Sequence, residues 1–329
     1  GMVRESAALA LGHLRRDDAS LRPKTLMLEG VRGRLLQVFD ANLAGKKLDV
    51  PLRTRCFAMY AIGMLGDQPF RDDPLSKDGR LISKLIWERL AVPYRDRELH
   101  VALLTALGRQ PRAGIPTGVH DGLKEIIARK KALGHKWDVL KRAHAVTAMA
   151  RLGGTGGHAL LLRLMADKRR SLLIRLAAVL AMAERTPHLA AAERGAASRM
   201  VRRVFGLDQE LLAVGLANMA YGRMIGADLG AGGDRALASE KADAHLLERA
   251  EKAPWYLRGW AAIALALAAR EGDTKLERVR VFRKRASDTL LRMARESGAR
   301  PNVQGAAAVA LGLLGDASAA PTLIALALS

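Results

Sequence analysis

The chain repeats itself, and that self-similarity constrains the fold more than any other feature. Val303 to Asp316 reads VQGAAAVALGLLGD, and Thr54 to Asp67, TRCFAMYAIGMLGD, aligns to it without a gap. Val3 to Gly12 and Leu99 to Gly108 follow the same wording. Weaker copies lie at His144–Gly153, Ile174–Ala183, Leu211–Ala220 and Leu257–Ala266. The last residues of the copies fall at 12, 63, 108, 153, 183, 220, 266 and 312, in steps of 30 to 51 residues. That spread centres on the period of about 40–47 residues expected of stacked helical hairpins.

Between the copies lie second amphipathic segments: Asp78–Ala91, Gly118–Leu133, His188–Phe205 and Lys275–Glu296. Gly, Pro and Asp at the joints supply the stops between helices. Ala and Leu, the best helix formers, dominate the apolar half of the chain, whereas only 4% of residues are aromatic. The expected fold class is therefore all-α, with each unit a pair of helices.

The VRxxAxxALGxLGD wording resembles the HEAT-like repeats of phycobilisome lyases, over nearly the whole chain. The resemblance implies a right-handed α-solenoid of about eight hairpins, a single domain over 1–329. It implies that the Val-Arg helix is the second of its hairpin and lines the concave side. Its arginine is then expected to pair with an aspartate in the preceding turn. Arg4, Arg55, Arg175 and Arg258 hold that position, with Asp49 and Asp167 upstream of two of them. His100, Ala145, Leu212 and Gln304 interrupt the series. Solenoids need polar capping helices. This chain opens in a second helix, Met2–Leu14, and closes in a first helix, Ala319–Leu328. We therefore expect a slice of a longer protein, or ends covered by another chain, as in a homo-oligomer.

In a common register the core stripe falls at Val303, Ala306, Ala307, Ala310, Leu311 and Leu314. The opposite face, at the positions of Gly305, Ala308 and Val309, is almost wholly apolar in all eight copies; Glu5 and Thr105 are its exceptions. Met59, Leu104, Met149, Val179 and Leu216 share one such position in five successive copies. A helix apolar all round is normally buried. This face is thus closed by tight winding or holds an apolar partner, and the expected function is a non-catalytic protein-binding scaffold.

Net charge is +21, which favours polyanionic partners. The repeat helices hold only five of the 54 Lys+Arg, namely Arg4, Arg55, Arg151, Arg175 and Arg258. The charge must sit on the outer helices and connectors. The densest stretch carries Arg280, Lys284, Arg285, Arg292 and Arg295; a second carries Arg194, Arg199, Arg202 and Arg203. Nucleic acid on these ridges is the alternative function, although the clusters have no aromatic residues to stack on bases.

No HExxH, CxxC, GxSxG or GxxxxGK[ST] pattern occurs, so neither an enzyme nor a cofactor is expected. No histidine has another at i+3 or i+4, so no metal site is expected. Gly226–Gly233 is expected to be a long loop, and Trp255 and Trp260 to serve packing. The single cysteine, Cys56, excludes an intrachain disulfide and fits a reducing compartment such as the cytoplasm. No apolar run approaches the roughly 20 residues of a membrane span.

Overall fold

The computed structural model describes residues 4–7, 34–43, 46–47, 49–66, 76–110, 115–153, 157–186, 189, 191–207, 211–230, 239–272, 275–296, 298 and 300–328. Side chains at 42–43, 66, 76–81, 191–192, 202–207, 230 and 239–242 are not among those described. Contacts divide the chain into two compact units, Gly1–His158 and Ala159–Ser329.

In the first unit, helices α1 (Leu52–Gly66), α3 (Arg97–Leu107) and α5 (Val139–Leu152) stack in order. Helices α2 (Ser76–Leu90) and α4 (Val119–Ala128) lie against α3 and α5. The second unit begins within α6 (Gly157–Ala166). Here α7 (Leu172–Arg185), α9 (Leu211–Gly230), α11 (Trp255–Glu271) and α13 (Pro301–Leu314) form the inner stack. Outer helices α8 (Ala191–Leu207), α10 (Ser239–Lys252) and α12 (Glu277–Arg295) back α9, α11 and α13. A short 3-10 turn, Ala317–Ala319, leads into α14 (Ala320–Leu328).

The all-α expectation holds for most of the described residues, with two small insertions. Asn42–Leu43 pairs with Lys46–Lys47, and Lys131–Ala132 with His135–Lys136, both antiparallel. The second hairpin cuts short the helix expected over Gly118–Leu133. Leu133 and Gly134 both have positive φ, 47° and 79°, as a two-residue type I′ turn requires. Gly226–Gly230, expected to be loop, instead continues α9.

The inner helices meet through bare backbone. A Cβ on Gly63 would lie 2.9 Å from Ala106 Cα, and one on Gly108 would lie 2.9 Å from Ala148 Cα. A Cβ on Gly222 would lie 2.9 Å from Ala264 Cα, and the ring of Trp260 lies against Gly215. Burial around α9 follows the pattern of the other copies only when Gly222, not Ala220, is matched to Gly63 and Gly108. The match at Ala220 is thus two residues out of register, because Ala220 and Gly222 fit the small-residue position equally well in the sequence.

The arginine position does something other than build aspartate rungs. Its recurring bond runs to a main-chain carbonyl at or near the carboxyl end of the preceding outer helix. Arg55 Nε donates to Phe39 O at 2.6 Å, Arg175 Nε to Met165 O at 3.3 Å and Arg258 Nε to Ala250 O at 3.2 Å. Two residues set aside as interruptions do the same. His100 Nε2 lies 3.0 Å from Val92 O, and Gln304 Nε2 donates to Glu296 O at 3.1 Å. In α5, where Ala145 has no donor, Arg142 reaches Ile127 O at 2.7 Å from one turn earlier. The last carbonyls of a helix have no intrahelical partner, and a cation or other donor there satisfies them.

Candidate partner-binding face

Four of the five residues of the stripe expected to meet a partner are not available to one. Met59, Leu104 and Val179 are 0% exposed and Met149 is 1% exposed. Met59 and Leu104 lie one helical turn before Gly63 and Gly108, on the face that the next inner helix covers. This is the physical reason that face is mostly apolar: an inner helix is packed by its outer helices on one side and by the next inner helix on another. Leu216 is half-exposed, because the corrected register of α9 moves it off the stacking face and puts Asn218 there instead.

One strip runs along the outer margin of these contacts, and in the second unit it is apolar from helix to helix. Leu173 and Leu180 of α7 lie on it, with Leu180 38% exposed. On α9 it continues through Leu212, 56% exposed, then Leu216 and Met219. On α11 it takes in Tyr256, 39% exposed, Trp260 and Ile263. It ends on α13 at Ala306 and Val309, the latter 58% exposed. These residues occupy equivalent register positions on four helices packed side by side, so they form one row rather than scattered exposures. The equivalent strip of the first unit is broken by Arg53, Glu98, Thr105 and Arg109.

Cations border the row. Lys168 and Arg169 in the turn before α7, Lys252 before α11 and Arg300 before α13 are exposed at one edge. The Arg300 guanidinium sits 4.0 Å from the ring centroid of Trp255. At the opposite edge lie Arg185, Arg223 and Arg270. Carboxylates at these edges are engaged with cations: Glu271 with Arg223 at 3.3 Å, Glu248 with Lys252 at 3.7 Å and Glu296 with Arg258 at 2.7 Å. The Arg258 contact holds the Glu296 carboxyl below its ordinary pKa.

The basic residues expected to form a polyanion ridge on α12 are only partly free to do so. Arg280 is paired with Glu277, and Arg292 with Glu251. Arg295 donates through Nε to Thr322 Oγ1 at 3.0 Å, tying α12 to α14. Lys284 and Arg285 point into solvent, as does Arg199 of α8. The side chains of Arg202 and Arg203 lie outside the described residues. Arg194, from the same cluster, is buried in an ion pair with Asp228 of α9, at 3.0 Å.

Two features that could have carried chemistry serve packing. Burial raises the Cys56 thiol to about 11, which keeps it protonated and unreactive. Tyr94, His100, His135 and Trp137 form an edge-to-face and tilted cluster with centroids 4.7 to 5.3 Å apart. In it His135 Nε2 lies 2.8 Å from Leu90 O, beside the His100 contact. The imidazoles thus end α2 in the place where other joints use guanidinium. Among the described residues no group of three or more His, Cys, Asp or Glu could hold a metal ion. No described helix is long and apolar enough to cross a membrane.

The register of α9 hides the outward row in the sequence: with Ala220 matched to Gly63 and Gly108, Leu212 and Met219 fall two places off the positions of Leu173 and Leu180. The sequence matches no protein-family model and no curated protein, so the functional conclusion rests on these side chains.

Proposed function

We propose that the chain is a non-catalytic protein-binding scaffold, a right-handed α-solenoid of HEAT-type hairpins that presents the outward strip of its inner helices to a polypeptide partner. The order of packing supports the repeat reading, because inner helices contact chiefly the inner helix before, the inner helix after and their own outer helices. The observation that carries the function is the apolar row from Leu173 to Val309. Soluble proteins rarely leave contiguous apolar surface of more than a few hundred Å² open unless it binds something. The polyanion reading has less support, since Arg280, Arg292 and Arg295 are already occupied within the fold.

The test compares the wild-type chain with a Leu180→Gln, Val309→Gln variant, which removes apolar surface without changing charge. Both proteins should show the same helical circular dichroism and melting temperature. Fluorescence of the apolar probe anilinonaphthalene sulfonate, strong with folded wild type, should fall several-fold with the variant. A variant that unfolds would place the row in the core, and a folded wild type that leaves the probe dark would remove the face from consideration.

A further inference from the structure

We infer that the occupant of the apolar row is an amphipathic α-helix with acidic flanks, an inference that rests on the scaffold reading above. Its length follows from the stack. Four inner helices at the usual spacing of about 8–10 Å make a row about 25–30 Å long. At about 1.5 Å per residue, that is a helix of roughly 16–20 residues.

The secondary structure of the occupant follows from hydrogen bonding. The row is made of helix flanks, whose main-chain groups are already bonded within their own helices. It offers no sheet edge, so an extended segment laid on it would leave its own N–H and C=O groups unpaired against apolar side chains. A helix satisfies its backbone internally and presents a stripe of side chains instead. Leu212, Leu216 and Met219 from α9, with Trp260 and Ile263 from α11, form the half-open centre such a stripe would cover. Met and Leu there can repack around different side chains.

The charge of the occupant follows from the edges. Exposed Lys168, Arg169, Lys252 and Arg300 lie along one border, with Arg223 and Arg270 along the other. The whole chain carries +21. On the first border Lys168, Arg169 and Arg300 stand in addition to the Lys252–Glu248 and Arg258–Glu296 pairs, and on the second Arg185, Arg223 and Arg270 face Glu184 and Glu271, so cations are in excess on both sides. Glu or Asp flanking the apolar stripe of the occupant would meet them, and Lys or Arg there would be repelled.

Two synthetic 18-residue helices test this with the full chain: one with a Leu stripe flanked by Glu, the other with the same stripe flanked by Lys, each carrying fluorescein. Anisotropy titrations should show the Glu helix binding at least tenfold more tightly at low salt. The gap should shrink as salt rises and narrow further in a Lys252→Glu, Arg300→Glu variant. The Leu180→Gln, Val309→Gln variant should lose at least tenfold for the Glu helix, whereas Lys284→Glu, Arg285→Glu on α12 should bind it unchanged. Equal binding of the two helices would overturn the acidic assignment and leave the apolar face standing. No binding of either, or binding that survives Leu180→Gln, Val309→Gln, would overturn the face itself.

Discussion

Gly222 and Gly312 hold the same register position in α9 and α13, yet the same substitution should act in opposite directions at the two. At Gly222 an added methyl would sit 2.8 Å from the carbonyl carbon and 2.9 Å from the Cα of Ala264, both backbone atoms of the neighbouring inner helix. Neither can swing aside as a flexible side chain would, so α9 and α11 must separate along their seam. Overpacking of this kind costs about 1–3 kcal/mol, against the ~0.5–1 kcal/mol that alanine gains over glycine inside a helix. Gly222→Ala is therefore expected to destabilise by about 1–2 kcal/mol. At Gly312 nothing lies within 4 Å of the added methyl. Gly312→Ala should stabilise by up to ~1 kcal/mol through helix propensity alone. Urea titrations followed by tryptophan fluorescence would report the first change directly, since Trp255 and Trp260 both belong to α11. The second needs far-ultraviolet circular dichroism on the same samples. If Gly222→Ala proves neutral or stabilising, the corrected register of α9 and the close seam it implies are wrong.

Two further perturbations bear on the interior. Burial, with Lys141 and His135 nearby, lowers His100 from 6.5 to about 4, while the Val92 carbonyl and Asp138 act in the opposite direction. The unfolded chain then takes up this proton first as pH falls, so stability present above pH 6.5 should be lost on the way down to about 4, by up to ~3 kcal/mol. His100→Gln keeps a donor of the kind Gln304 uses and removes the titration; wild type and variant with parallel stability–pH curves between pH 6.5 and 4 would contradict this. Arg194→Met should destabilise the fold, by at most about 3–5 kcal/mol, because it removes the guanidinium paired with the buried Asp228 carboxylate, and Asp228→Asn should restore part of the loss in the double variant. Additive losses would show that the pair is not coupled.

The helical class was legible because Thr54–Asp67 and Val303–Asp316 align without a gap and keep the same small residues, Ala58 with Ala307, Ala61 with Ala310 and Gly63 with Gly312. The faces were not. An inner helix has apolar neighbours on several sides, so its periodicity reads as apolar all round, and nothing in one sequence separates the stacking side of Met59 and Leu104 from the open side of Leu180 and Val309. Which side is which depends on where the next helix lies, a fact set by Gly63, Gly108 and Gly222 meeting backbone 40 or more residues away. The arginine position was correctly singled out and its partner misjudged for a related reason. Carbonyl acceptors are present at every residue and leave no mark in a sequence, whereas aspartates do. The cationic border is not legible as one feature, because it is assembled from turns and helix ends at Arg169, Lys252 and Arg300, far apart along the chain.

The closure of each hairpin by a side chain on a carbonyl has a consequence for how such a chain can change over generations. A bond between two side chains is lost when either mutates, and restoring it takes a matched second change. In these joints one partner is main chain, which no single substitution deletes. The other need only bring an N–H to the same place, and guanidinium at Arg55, imidazole at His100 and amide at Gln304 all do so. The donor can even come from a different turn, as Arg142 does opposite Ala145. Substitution at these positions can therefore proceed one residue at a time, without passing through an unclosed hairpin, so copies can diverge in wording while keeping one geometry.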